Sequence, residues 1–123
     1  MRTKIEVINN SEIIKVVFTG NVTFDDRINV IHELCTDYYP LFTKLRILID
    51  TRQVIKKLTE SEQIILGTFV ASRIELKEAL VAVIVEKNIM LNEQAIKKSS
   101  QLGHNIKVFY TEKEALTWLN VKC

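Results

Sequence analysis

The side chains able to do chemistry fall into a few groups set by spacing. Asp50-Thr51-Arg52 and Glu86-Lys87-Asn88 each follow an apolar run, Leu45–Ile49 and Ala79–Val85. In an open α/β sheet, ligands bind outside the carboxyl ends of the strands. A polar ligand there could be clamped by Arg52, whose planar fork suits a carboxylate or phosphate, with Lys87 as a point charge and Asp50 and Glu86 as acceptors. The plainer alternative is that polar strand ends meet water and Asp50 forms an ordinary ion pair with Arg52 or Lys87. His32 and Cys35 stand three apart and so share a helix face. A Cys-His nucleophile also needs an orienting group and oxyanion donors, and Cys35 shares its stripe with Ile28 and Ile31, where a thiol packs as a small hydrophobe. His104 follows Gly103 in a helix-ending turn. Gly20, Gly67 and Gly103 are isolated, so no phosphate loop is present in the sequence, and no His/Cys/Asp group has zinc spacing. We therefore expect no metal, no cofactor and no enzymatic activity.

Two apolar stretches lie outside regular elements. Ile89-Met90-Leu91 follows a strand end and precedes a helix, so Met90 and Leu91 join Asp50, Arg52, Glu86 and Lys87 as ligand-binding candidates. The competing role is a hydrophobic staple at the helix entry. Tyr38-Tyr39-Pro40-Leu41-Phe42 reads as a buried connector, and the Lys56-Lys57 and Lys97-Lys98 pairs as solvated faces.

The elements that must position these groups follow from periodicity. Lys4–Ile8 alternates with period two, as an edge strand does, and Asn9-Asn10-Ser11 turns into a second strand, Ile13–Phe18, giving an antiparallel hairpin. Thr23 opens a helix favoured by Asp25 and Asp26 at its positive end, with Ile28, Ile31, His32 and Cys35 following, and Tyr38-Tyr39-Pro40 ending it. Leu45–Ile49 is a strand closed by Asp50-Thr51-Arg52. Thr59-Glu60-Ser61-Glu62 is a capping box, with a helix running on through Ile65, Leu66, Phe69 and Val70. Ala79–Val85 is a strand buried on both faces. Asn92–Leu102 is a helix stopped by Gly103. Ile106–Tyr110 is the last strand, and Thr111–Glu114 caps a closing helix carrying Ala115, Leu116, Trp118 and Leu119. Strands alternating with helices imply right-handed crossovers and a mostly parallel five-stranded sheet with four helices.

That order, with Ala82-Val83-Ile84-Val85, Gly103 and Val108-Phe109-Tyr110-Thr111-Glu112-Lys113-Glu114-Ala115-Leu116-Thr117-Trp118-Leu119, resembles the SpoIIAA-like superfamily. This superfamily includes the STAS domains and, more distantly, the lipid-binding Sec14 domains. The resemblance implies a single α/β domain over 1–123, an open βα superhelix with an antiparallel N-terminal edge strand, and regulation or binding more often than catalysis. Anti-sigma-factor antagonists of this group carry a phosphorylated serine in Asp-Ser-Ser-Gly. The comparable stretch here, Leu58–Glu62, lacks that motif. Ser61 is the one phosphorylation candidate, and a phosphate between Glu60 and Glu62 would be repelled, an effect the helix N-terminus partly offsets.

Composition narrows the class. The 123 residues suffice for one domain that buries roughly two-thirds of its unfolded surface without a metal or disulfide staple. Seventeen Lys+Arg against fifteen Asp+Glu leave +2, too balanced for a phosphate-backbone binder, so no nucleic-acid partner is expected. The two cysteines, Cys35 and Cys123, form no disulfide framework and fit a reducing compartment. Met1–Asn10 lacks the apolar core of a signal peptide, and the longest apolar run, Ala79–Val85, is far short of the about twenty residues of a membrane span. A cytoplasmic protein without stable membrane insertion is the expectation. The function expected is a non-enzymatic regulatory or binding domain for a protein partner or small ligand. The alternative is a carrier of lipid or another apolar molecule in a Sec14-like cleft. Two strands apolar on both faces need both faces covered, by helices or by a second subunit in a two-fold homodimer.

Overall fold

The computed structural model describes residues 3–8, 12–40, 45–55, 58–86 and 105–121. Strand β1 (Thr3–Val7) pairs antiparallel with β2 (Ile13–Gly20), and β3 (Arg46–Val54), β4 (Leu80–Ile84) and β5 (Asn105–Phe109) follow in parallel. Strand order in the sheet equals order in the chain. This is the expected mixed α/β sheet with an antiparallel edge. The predicted helix over Asn92–Leu102 lies outside the described residues.

Helix α1 (Phe24–Glu33) opens on Thr23, whose hydroxyl accepts the Asp26 N–H at 3.1 Å while Asp26 Oδ2 accepts the Thr23 N–H at 2.9 Å. Helix α2 (Glu60–Ser72) opens on the same device, with Thr59 and Glu62 each satisfying the other's backbone N–H at 3.1 Å. Each box satisfies two of the four N–H groups that a helix start leaves without partners. Helix α3 (Glu112–Val121) opens with the Thr111 hydroxyl accepting the Glu114 N–H at 3.2 Å.

The first helix does not stop where an α-helix would. A π-helical turn continues it over Leu34–Tyr38, with the Tyr39 N–H donating to the Leu34 carbonyl at 2.9 Å. The wider turn lets the consecutive residues Leu34 and Cys35 both enter the core. Cys35 is thus packed as a small hydrophobe, whereas His32 is exposed, so the two form no paired site.

Alternation along the strands divides the sheet into two apolar faces. On the first, Ile14, Val16, Ile47, Val81 and Val83 pack under α1 and the π turn, and Val70 of α2 joins them. On the second, Ile13, Leu48, Leu80, Ala82 and Ile84 pack against Ala115 and Leu119 of α3. Leu116 and Trp118 add to that contact, and the Trp118 ring lies 5.7 Å from that of Phe109. The chain's own helices therefore lie on both faces, which removes the premise on which a second subunit was expected as the cover. Helix α2 is apolar around most of its circumference, and Ile64 and Ile65 remain exposed on it.

One boundary needs correction. Asp50-Thr51-Arg52 does not close β3: the strand runs on to Val54. Across this stretch the register with β2 slips, Val17 facing Asp50 but Thr19 facing Gln53, so β3 carries an extra residue. The side chain of Thr51, fully buried, donates to the Ile84 carbonyl at 2.8 Å and holds the irregular segment to β4.

Candidate functional site

The polar candidates do assemble, but into a closed network. Asp50 accepts three bonds from Arg52: its backbone N–H at 3.0 Å, Nε at 3.0 Å and Nη2 at 2.8 Å. Burial pushes the Asp50 carboxyl up. The Arg52 hydrogen bonds, with the nearby charges of Arg52 and Lys15, outweigh this and hold it below the usual carboxylate range. Lys15 on β2 meets Glu112 at the start of α3 at 2.8 Å. Arg52 also feels the charges of Glu112 and Glu86. The planar fork expected to clamp a ligand is thus occupied by Asp50 two residues away, and the cluster ties β2 and β3 to α3. Lys87, Met90 and Leu91 lie outside the described residues, as do Gly103 and His104.

Ser61 is exposed in the first turn of α2, beside the Glu62 carboxylate that closes the capping box. A polar cleft lies between the two capping boxes, lined by Asn21, Thr23, Phe24, Leu58, Thr59 and Glu62. Its backbone donors at Thr23, Asp26, Thr59 and Glu62 are already served by the boxes. Among the described residues no three His, Cys, Asp or Glu side chains are grouped to hold a metal ion.

The second apolar feature is a partly open cavity of about 110 Å³ between the first sheet face and the two helices above it. The floor is Phe18, Ile49, Val81, Val83 and Ile106, one or two residues from each parallel strand. Val30 and Ile31 of α1 and Leu34 of the π turn form one wall. Leu66, Gly67 and Val70 of α2 form the other, where a mid-helix glycine contributes no side chain to fill the space.

One charged side chain reaches this cavity. Arg27 of α1 is only 3% exposed, and its guanidinium stands 5.5 Å from the Phe18 ring centroid. Loss of water around it pulls its pKa down to about 10, against the opposing pull of the Asp26 and Glu62 carboxylates. Arg27 was not singled out by motif or strand-end reasoning. The signal that could have found it is its spacing: positions 27, 30, 31 and 34 form one stripe, so an arginine occupies an inward-facing position of α1.

Near the cavity, Cys35 sits in the π turn that continues α1. Burial pushes its thiol up, while a hydrogen bond with Arg73 works against that. Arg73 also pairs with Glu75 at 3.2 Å.

No family model matches the chain, and no curated protein matches it. Among solved structures, the chain is similar to an uncharacterised protein of the DUF3478 family from Shewanella loihica, described as having a SpoIIAA-like fold. That similarity covers 95% of this chain and 91% of the other, with a TM-score of 0.60 and 21% identity. The sheet order, the antiparallel edge and this match together define a SpoIIAA-like α/β fold. No helix among the described residues is long and apolar enough to cross a membrane.

Proposed function

We propose that this chain is a non-enzymatic binding domain that takes a small, largely apolar molecule into the cavity between α1, α2 and the sheet. The observation that carries this reading is the cavity itself, about 110 Å³ and walled by aliphatic and aromatic side chains. Well-packed interiors contain few voids larger than a water molecule. An engineered apolar cavity of roughly 150 Å³ stays dry and takes up benzene. A partly open cavity of this size suits a ligand body about the size of one small ring.

Clefts that bury a drug-sized ligand run to roughly 300 Å³ or more, and a whole lipid, the alternative expected from Sec14-like domains, needs at least as much. The cavity favours a small ligand over that alternative. A regulatory role follows naturally if occupancy stiffens α1 and α2 against the sheet, since a ligand bound only by the folded state shifts its stability.

Toluene titrated into the protein tests the reading. At a hundred times its dissociation constant it should stabilise the fold by about 2.7 kcal/mol in thermal or urea unfolding. Gly67→Leu, which places a side chain in the cavity wall, should abolish that gain. No stabilisation of the wild-type protein by toluene would overturn the proposal.

A further inference from the structure

We infer that β1 is a self-association edge: two copies of this chain pair through it, antiparallel about a two-fold axis at Ile5, into one continuous sheet. The inference is independent of the cavity and of what it binds. It joins sheet edges rather than sheet faces, so it does not call on a second subunit as the cover for an apolar face.

Among the described residues β1 pairs with β2 alone and forms one edge of the sheet. The Ile8 N–H donates to the Ile13 carbonyl at 3.0 Å, which fixes the phase of the ladder. Hydrogen-bonded and non-hydrogen-bonded pairs alternate along antiparallel strands. Glu6 and Lys4, opposite Lys15 and Val17, therefore turn their backbone groups toward β2. Thr3, Ile5 and Val7 turn theirs outward. An outward row of N–H and C=O groups is a template for another strand.

The sequence of the edge decides which strand. Thr3-Lys4-Ile5-Glu6-Val7 has Ile5 at its centre, with opposite charges equidistant from it. Antiparallel pairing of two copies about Ile5 sets Ile5 against Ile5, Thr3 against Val7 and Lys4 against Glu6. The outward rows then meet, and about six backbone hydrogen bonds close the seam. Lys4 and Glu6 of opposite copies fall at non-hydrogen-bonded pairs, where side chains approach more closely. Both are exposed, and within one chain they meet at the long distance of 3.8 Å. Lys15, which faces Glu6 from β2, is held by Glu112 at 2.8 Å. The Glu6 carboxylate is thus placed to take a closer cation from a second copy. Exposed Val7 gains cover in the same step.

A lysine on a sheet edge ordinarily keeps other strands away. Here Glu6 at the two-fold-related position turns Lys4 into an attraction. The opposite edge, β5, has Lys107 at its centre, so the same symmetric pairing would oppose two like charges. A two-fold contact must be self-complementary, and β1 meets that condition where β5 does not. A seam of five residues per copy is small, so the dimer is weak, with a dissociation constant on the order of 100 μM.

Sedimentation equilibrium of the full chain, with a reductant present and from about 10 μM to about 1 mM, brackets that value. The wild-type mass should rise from the 14.2 kDa of one chain toward twice that. Lys4→Glu and Glu6→Lys each set like charges opposite, and each should weaken association at least about tenfold. An equimolar mixture of the two variants restores opposite charges at both pairs and should associate as the wild type does. A wild-type mass that stays at one chain overturns the inference, as does growth beyond two copies. Dimerisation unchanged in either variant puts the contact elsewhere and overturns it too. A mixture no more associated than its components overturns the register. The wild-type measurement needs no variant, so it decides the matter even if Glu6→Lys, beside Lys15, does not fold.

Discussion

Lys15 Nζ and Glu112 Oε1 lie 2.8 Å apart although 97 residues separate them in the chain. The pair joins β2 to the first turn of α3, on the sheet face that, among the described residues, α3 covers. Both side chains are partly exposed, so solvent screens the attraction. A single substitution, Lys15→Met or Glu112→Gln, should lower stability by about 0.5–1 kcal/mol, and the double variant by less than the sum of the two. Urea unfolding of the four proteins gives the coupling directly, and additive losses would show that the two charges do not interact.

Asp50 supplies a pH signature. Its folded-state pKa lies below that of an ordinary carboxyl because Arg52 donates three hydrogen bonds, which outweigh burial. A depressed carboxyl pKa stabilises the fold above the unfolded-state value, near about 3.9, and that contribution is lost as pH falls through the lower folded value. Wild type should therefore exceed Asp50→Asn in stability at pH 7. The gap should close as pH drops below about 4. A gap that stays constant between pH 7 and pH 3 would show that the carboxylate charge is not what stabilises the bulge.

Leu119 is fully buried against the second sheet face, whereas Trp118 keeps part of its ring at the surface beside Phe109. Leu119→Ala should cost about 3 kcal/mol by leaving a cavity under α3. Trp118→Ala should cost less than Leu119→Ala despite removing more atoms. Chemical denaturation of both variants ranks them, and the reverse order would place the indole deeper than the structure does.

Cys35 should be chemically silent in the native state. Its thiol is buried, and burial holds it protonated to higher pH than a free cysteine. The thiolate is the reactive form. In a Cys123→Ser background, a disulfide reagent at pH 7.5 should label Cys35 at the rate of local opening and much faster in urea. Native labelling as fast as that of free cysteine would contradict the packing of the π turn.

Much of the fold was legible because the governing signals are local. Alternation over Lys4–Ile8, the β-branched run Ala79–Val85 and the Thr59–Glu62 capping box each mark one element by nearby residues alone. The expected capping of α1 by Thr23 held for the same reason. The strand end at Ile49 was misplaced because Asp50 and Arg52 look like termination, while it is the tertiary bond from Thr51 to the Ile84 carbonyl that keeps β3 running. The π turn left no periodicity of its own, because one extra residue in a helix shifts the apolar stripe by a single position.

The site was less legible than the scaffold. Asp50 and Arg52 were expected to face a ligand, and their mutual clamp depends on a bulge that no residue spacing announces. Arg27 was hidden for the opposite reason. An arginine beside Asp25 and Asp26 carries no local sign of burial, and its stripe with Val30 and Leu34 is what points inward.

The placement of α3 has a consequence for biosynthesis. It follows all five strands in the chain, yet it is the described helix that covers Leu48, Ala82 and Ile84. On the ribosome, β3 and β4 emerge well before the helix that shields them. Until translation passes Leu119, those strands lack the contact that α3 gives them. Chains released early, or stalled within the last strand, should be the ones that holding chaperones capture and proteases clear, because exposed apolar strands are what drives aggregation of incomplete folds.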